Sequence, residues 1–317
     1  MKSFTSTKLI LLPQSLPKHS TTPSSLISSP HHLCILALIS FFTFAFLLTL
    51  LSSSTSLPSP LPHPSAALPS PKPDPYLFDT LIHYAAQSTS SGLMPDIDLR
   101  SIARALRRRA PCNLLVFGLG PESLLWRALN HGGRTVFVDE NQYYISHYEE
   151  RHPGLEGYDV VYTTKVRELK ELIAEARAKI SGDCRPVQNL LFSDCRLAIN
   201  DLPNHVYEVA WDVIVVDGPR GYSPESPGRM STIYTAAVLA RSGGDEPTDV
   251  LVHDFEREVE RVCSEEFLCR ENLVGVEGQV AHFVVRGRDA ARKDDFCFNR
   301  TAAAGTAAAA AATAVAP

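Results

Sequence analysis

Four short groups in this sequence carry residue types that do chemistry at the ends of strands. They are Gly118-Leu-Gly120, Asp139-Glu140, Asp217-Gly-Pro-Arg-Gly221 and His253-Asp254. Glycines let the backbone turn sharply and let a ligand approach without meeting a Cβ. A carboxylate about twenty positions after the first glycine can accept hydrogen bonds from both ribose hydroxyls; Asp139 and Glu140 stand there. Asp217 with His253 or Asp254 offers oxygen and nitrogen ligands for a divalent metal, or a general base. Asp194, in Phe192-Ser-Asp-Cys195, is placed either to meet an adenine or to stabilise a turn. Arg220 and Arg229 flank the loop 221–228 (GYSPESPG) and can hold a carboxylate bidentately, which points to an acidic substrate.

Such groups act together only if the elements bring them to one edge, and the periodicity says they do. Helical spacing over 76–87 and 96–108 predicts two leading helices. Strands are then expected at 114–117, 135–139, 158–163, 212–216 and 250–252, and helices at 122–130, 142–151, 165–180 and 228–241. A hairpin over 274–278 and 279–286 closes the pattern. The run Val213-Ile-Val-Val216 is apolar throughout, as a strand buried on both faces should be. Alternation at this spacing predicts an α/β fold: a Rossmann-like, mostly parallel sheet with helices on both faces and a terminal antiparallel hairpin. Ligands of such sheets bind outside the carboxyl ends of the strands, where all four groups fall. The third glycine of the dinucleotide fingerprint is replaced by Ser123, which counts against a dinucleotide.

The ends of the chain are of another kind. Residues 33–51 (LCILALISFFTFAFLLTLL) are uncharged and predominantly apolar, long enough for a bilayer-spanning helix. Lys2, Lys8 and Lys18 precede this stretch, and no Lys or Arg follows until Lys72. The positive-inside bias therefore predicts a single-pass type II protein: a cytosolic tail at 1–32, a signal-anchor at 33–51, and the bulk in the lumen. A short, Phe-rich span suits the thinner bilayers of the early secretory pathway. Residues 52–75 read as a Pro/Ser-rich stem, 76–288 as the lumenal domain and 289–317 as a low-complexity Ala-rich tail. Six cysteines beyond the span (Cys112, Cys184, Cys195, Cys263, Cys269 and Cys297) permit disulfides in an oxidising compartment, in a pairing the sequence leaves open. Asn299-Arg-Thr301 is a glycosylation sequon under this topology. A net charge of −5 gives no general case for a nucleic-acid partner.

The stretches PCNLLVFGLG (111–120), HGGRTVFVDEN (131–141), YTTKVRELKELI (162–173), CRPVQNLLFSDC (184–195), NDLPNHVYEVAWDVIVVDGPRG (200–221), PGRMSTIYTAAVLAR (227–241), VHDFEREVE (252–260) and EEFLCRENL (265–273) resemble the plant glucuronoxylan 4-O-methyltransferases, within the wider irregular-xylem polysaccharide-biosynthesis family. The resemblance covers about 76–286. It implies a Golgi enzyme that moves a methyl group from S-adenosylmethionine to the 4-hydroxyl of glucuronic acid on glucuronoxylan. Carried over by position, Gly118 and Gly120 would border the methionine part of the cofactor, Glu140 its ribose, and Asp217 the transferred methyl. It also implies a divalent metal, held by Asp217 with His253 or Asp254. One branch of the family is linked to xylan assembly without a settled methyltransferase activity; HGGRTVFVDEN and VDGPRG look more like the methyltransferase branch. A sugar hydroxyl needs a base or a metal to lose its proton, and Asp217 is the first candidate, His253 the second. A Golgi factor for xylan assembly that keeps the fold without turnover is the alternative.

Overall fold

The run 113–117 becomes a strand because its side chains alternate between two apolar layers. Leu115 and Phe117 enter one buried cluster, Leu114 and Val116 the other. The computed structural model describes residues 37–48, 74–87, 94–287 and 295–297. The chain divides into two units, Met1–Ala67 and Leu68–Pro317. In the first unit the described residues form helix α1 (37–48), apolar and largely exposed. Among the described residues no helix is long and apolar enough to cross a membrane. The expected span at 33–51 runs beyond α1 at both ends, outside the described residues. Nearly all of the stem, most of the Ala-rich tail and the Asn299 sequon also lie outside them.

In the second unit the elements are α2 (Pro75–Ala86), α3 (Asp96–Arg109), β1 (Asn113–Phe117), α4 (Ser123–Leu129), β2 (Arg134–Asp139), α5 (Gln142–Arg151), β3 (Glu156–Asp159), α6 (Leu169–Ala178), α7 (Asn204–Tyr207), β4 (Val213–Val216), α8 (Met230–Ser242), β5 (Thr248–Val252), α9 (Glu258–Cys263), β6 (Leu273–Glu277) and β7 (Val280–Val285). The strands form one sheet in the order β3-β2-β1-β4-β5-β7-β6. The first five are parallel, and β7 runs antiparallel between β5 and β6. This is the expected α/β architecture with its terminal hairpin. The strand order reverses between β1 and β4, which opens a crevice at their carboxyl ends.

Helix α8 is buried at every position from Met230 to Arg241, so it lies at the centre of one layer rather than on the surface. Phe296 is buried against it through Tyr234, with ring centroids 5.7 Å apart, and the Cys269–Cys297 disulfide fixes that contact. A second disulfide joins Cys184 to Cys195, while Cys112 and Cys263 are free thiols in the interior. Two expected elements differ. The third strand ends at Asp159 rather than near 163, because the Val161 N–H leaves the ladder and donates to Asp201 Oδ2 at 3.0 Å. The helix expected over 165–180 opens with a separate 3-10 turn, Val166–Glu168, before α6.

Candidate functional site

The four groups picked out by type do meet at the carboxyl ends of β1, β2, β4 and β5. Gly118 has φ +110°, and a Cβ there would lie 3.0 Å from the Asp217 carbonyl carbon. A Cβ on Gly218 would lie 2.8 Å from Gly118 Cα. The two loops pack backbone on backbone, so Gly118 serves first to bring β1 and β4 ends together. The sharp turn expected at Gly118 is present, and its missing side chain makes room for the neighbouring loop. The Gly120 N–H donates to Ser123 Oγ at 2.9 Å, which gives the residue at the third-glycine position a capping role.

Asp139 and Glu140 divide the labour at the end of β2. Asp139 Oδ2 accepts from the Leu119 N–H and Oδ1 from the Asn141 N–H, both at 2.9 Å. Its carboxylate is thereby spent on joining the β1 turn to β2. Glu140 is exposed and interacts electrostatically with Arg220. Beside them the Tyr162 hydroxyl is buried with no hydrogen-bond partner among the described residues, and burial pushes its pKa far up, with Glu140, Asp139 and Asp201 adding to the shift. An unpartnered buried hydroxyl next to an exposed carboxylate leaves hydrogen-bonding capacity for a polar ligand. Asp194, by contrast, is exposed in the loop closed by Cys184 and Cys195. Asp201, not Asp194, is the carboxylate bonded at the end of β3.

Around β4 and β5 the charges interlock. His253 Nδ1 is 2.7 Å from Asp217 Oδ1, and its Nε2 is 3.3 Å from Asp98 Oδ2. Burial lowers the His253 pKa, but Asp217 and then Asp254 outweigh it, and the net direction is up. Arg229 is buried and reaches three acids: Asp217 Oδ1 at 3.2 Å, Asp254 Oδ2 at 2.8 Å and Glu260 Oε1 at 3.9 Å. It also donates to the His253 carbonyl at 2.5 Å. Arg229 therefore organises the acids and is not free to take a substrate carboxylate, the role the sequence had suggested for it; Arg220 is exposed, faces Glu140 electrostatically, and makes no ion pair within 4.0 Å among the described residues. Asp254 sits at φ +59°, a left-handed conformation that aspartate tolerates better than most residues and that clusters at functional sites.

Asp217, His253 and Asp254 each offer a ligand atom, all within 4.8 Å of one another. The donor types suit a divalent cation. The arrangement does not: Asp217 Oδ1 and His253 Nδ1 bond to each other, and Arg229 bridges both carboxylates. The guanidinium already supplies the shared positive charge, so no metal is assigned here.

Two site residues escaped the sequence. Asp98, on α3, is fully buried and accepts from the Gln279 N–H at 2.8 Å as well as facing His253. Glu122, also buried, accepts from the Met94 N–H at 2.6 Å; burial holds its carboxyl above the usual range, with the charge of Asp217 adding to the effect. Both lie where a helix begins, and acids in a first turn ordinarily stabilise the helix dipole. The only signal was that position.

The family pattern described as IRX15/IRX15L/GXM matches residues 97–283, more than half of the chain and all four of these groups. The chain belongs to that family. It is 50% identical to Protein IRX15-LIKE and 49% identical to Protein IRREGULAR XYLEM 15, both of Arabidopsis thaliana, covering 93% of this chain and 95% of each relative. Glucuronoxylan 4-O-methyltransferase 3 of the same plant is 43% identical over 70% of this chain and 73% of its own length. Among solved structures, a methyltransferase-like protein from Silicibacter pomeroyi is similar at 15% identity and a TM-score of 0.31, covering 70% of this chain and 89% of that one. The expectation that HGGRTVFVDEN and VDGPRG place this IRX15/IRX15L/GXM member nearer the methyltransferases is thus redirected. The IRX15 relatives match it more fully, in identity and in length.

Proposed function

We propose that this protein acts in xylan assembly with the IRX15-type members of its family, keeping an S-adenosylmethionine-type crevice without serving as a glucuronoxylan 4-O-methyltransferase. The observation that carries this is the match to IRREGULAR XYLEM 15 and IRX15-LIKE across 93% of the chain, against 70% for the methyltransferase. The site geometry supports it. Both nitrogens of His253 face carboxylates, Asp217 Oδ1 at 2.7 Å and Asp98 Oδ2 at 3.3 Å, so neither is open to a substrate hydroxyl. Asp217 Oδ1 is shared between His253 and Arg229.

S-adenosylmethionine supplies an electrophilic methyl group when bound. Residues suited to hold it are Glu140 for the ribose hydroxyls and Tyr162, whose buried hydroxyl has no partner among the described residues. A second reading, methyl transfer to the 4-hydroxyl of glucuronic acid, is favoured by one observation. Asp217 remains partly exposed at the end of β4, with His253 behind it, as a base for that hydroxyl would be. The anchor and lumenal placement remain part of the proposal. The apolar 33–51 stretch and the lysines before it support them, and two disulfides agree with an oxidising compartment.

Complementation tests the proposal. In a plant line lacking both IRX15-type relatives, the chain is expected to restore xylan amount and chain length with little change in glucuronate methylation. Restored methylation in a line lacking the methyltransferases would instead favour the second reading.

A further inference from the structure

One exposed aromatic ring differs from the others in how it is held. Tyr222 is 75% exposed, yet the Arg257 guanidinium lies over its ring at 4.9 Å from the centroid. The same guanidinium is 2.8 Å from Asp254 Oδ2. Tyr222 is thus connected through a single side chain to the carboxylate cluster at the end of β5. With Arg257 over one face and most of the residue in solvent, the opposite face of the ring is open.

The loop that carries Tyr222 is braced at its base and along its length. The Gly228 N–H donates to the Arg220 carbonyl at 3.0 Å and closes the base. The Val166 and Arg167 N–H groups donate to the carbonyls of Ser226 and Pro224 at 2.9 and 3.1 Å. The hydroxyls of Ser223 and Ser226 are 2.8 Å apart, and Glu225 pairs with Lys165 and Arg167. An aromatic ring fixed in advance loses little freedom on binding, so more of its contact energy appears as affinity. Two residues earlier, Arg220 is exposed at the same mouth.

We propose that Tyr222 is a stacking platform for one pyranose ring of an acidic xylan-type chain, with Arg220 taking the carboxylate of a uronate side group. The flat face of a pyranose presents C–H groups of partial positive charge, which match the negative face of an aromatic ring. A guanidinium matches a carboxylate with two parallel hydrogen bonds. An aromatic platform two residues from an exposed guanidinium pairs a site for a neutral ring with a site for an acidic group. This inference rests on the xylan reading and names the part of the molecule that would touch the polymer.

Binding of fluorescent xylo-oligosaccharides to the full-length chain tests it, with one oligosaccharide carrying glucuronic acid and one neutral. Tyr222→Ala is expected to weaken binding of both by roughly tenfold, and Tyr222→Phe to restore it. Arg220→Gln is expected to weaken only the uronate-bearing ligand, by a similar factor. Tyr84→Ala, which removes an exposed ring from α2, should change neither, and an unchanged urea midpoint for Tyr222→Ala shows that its fold is intact. Wild-type affinity in Tyr222→Ala, equal losses in Tyr222→Phe and Tyr222→Ala, or no binding by the wild type would each overturn the proposal. Failed complementation alongside intact Tyr222-dependent binding would sink the xylan-assembly reading and leave the platform standing. Successful complementation by Tyr222→Ala with unaltered binding would do the reverse.

Discussion

Asp98 supports the candidate site from 155 positions away in the chain. Its two oxygens serve the Gln279 N–H and His253 Nε2, and no water reaches it. Removing such a carboxylate leaves the part-buried Gln279 N–H and the buried Nε2 of His253 without their acceptor. Asp98→Ala is therefore expected to cost about 3 kcal/mol in urea denaturation, and Asp98→Asn, which keeps the shape, clearly less. Equal losses would mean that packing, not pairing, holds this corner. The same residue shows where sequence reading stops. Asp139, Glu140, Asp217, His253 and Asp254 were legible because each ends a hydrophobic run, and a parallel sheet puts all such ends on one edge. Asp98 and Glu122 follow no strand; their partners are fixed by how α3 and the β1–α4 turn pack, which no local pattern encodes. Arg229 was legible as a charge near the site but not as a buried one.

Among the elements, Asp249 does for β5 what Asp98 does for the crevice. It is buried in the strand, with Arg109 Nε of α3 at 2.6 Å on one oxygen and His282 Nε2 of β7 at 2.6 Å on the other. Burial pushes its pKa up, but the bonds from His282 and Arg109 outweigh that, and the net direction is down. A carboxyl depressed in the folded state stabilises it fully above the unfolded value near 4, and the contribution fades as pH falls through the lower folded value. The urea midpoint should thus decline below about pH 4 in the wild type. In Asp249→Asn the unfolding free energy should already be lower at pH 7, by about 2 kcal/mol, with a shallower acid decline. An unaltered acid slope would show that other carboxyls dominate. At this scale the sequence was most readable where burial is two-sided, as in Val213–Val216, and least where an edge strand is polar. Val161 is 77% exposed, and the third strand, expected to run to 163, ends at Asp159.

Over the whole molecule, two disulfides bracket the layer built around α8. Cys184–Cys195 closes a separation of 11 residues and Cys269–Cys297 one of 28. Loop-closure entropy gives about 3 kcal/mol for the first and about 3.5 kcal/mol for the second. Cys→Ser replacement of either pair should lower stability by that order, the second also freeing Phe296 from Tyr234. Reductant added to the wild type should reproduce both losses in thermal melting. The pairing itself was not legible: six cysteines beyond the apolar stretch fit many connectivities, and only the folded chain selects among them.

The central claim concerns what the crevice does with a xylan chain in place. The direct measurement is incubation of the full-length protein with glucuronoxylan and S-adenosylmethionine labelled in its methyl group, beside a glucuronoxylan 4-O-methyltransferase as reference. The account predicts label in the polymer with the reference enzyme and none with this chain. Label incorporated at the 4-hydroxyl of glucuronic acid by this chain, and lost in Asp217→Asn, would contradict it.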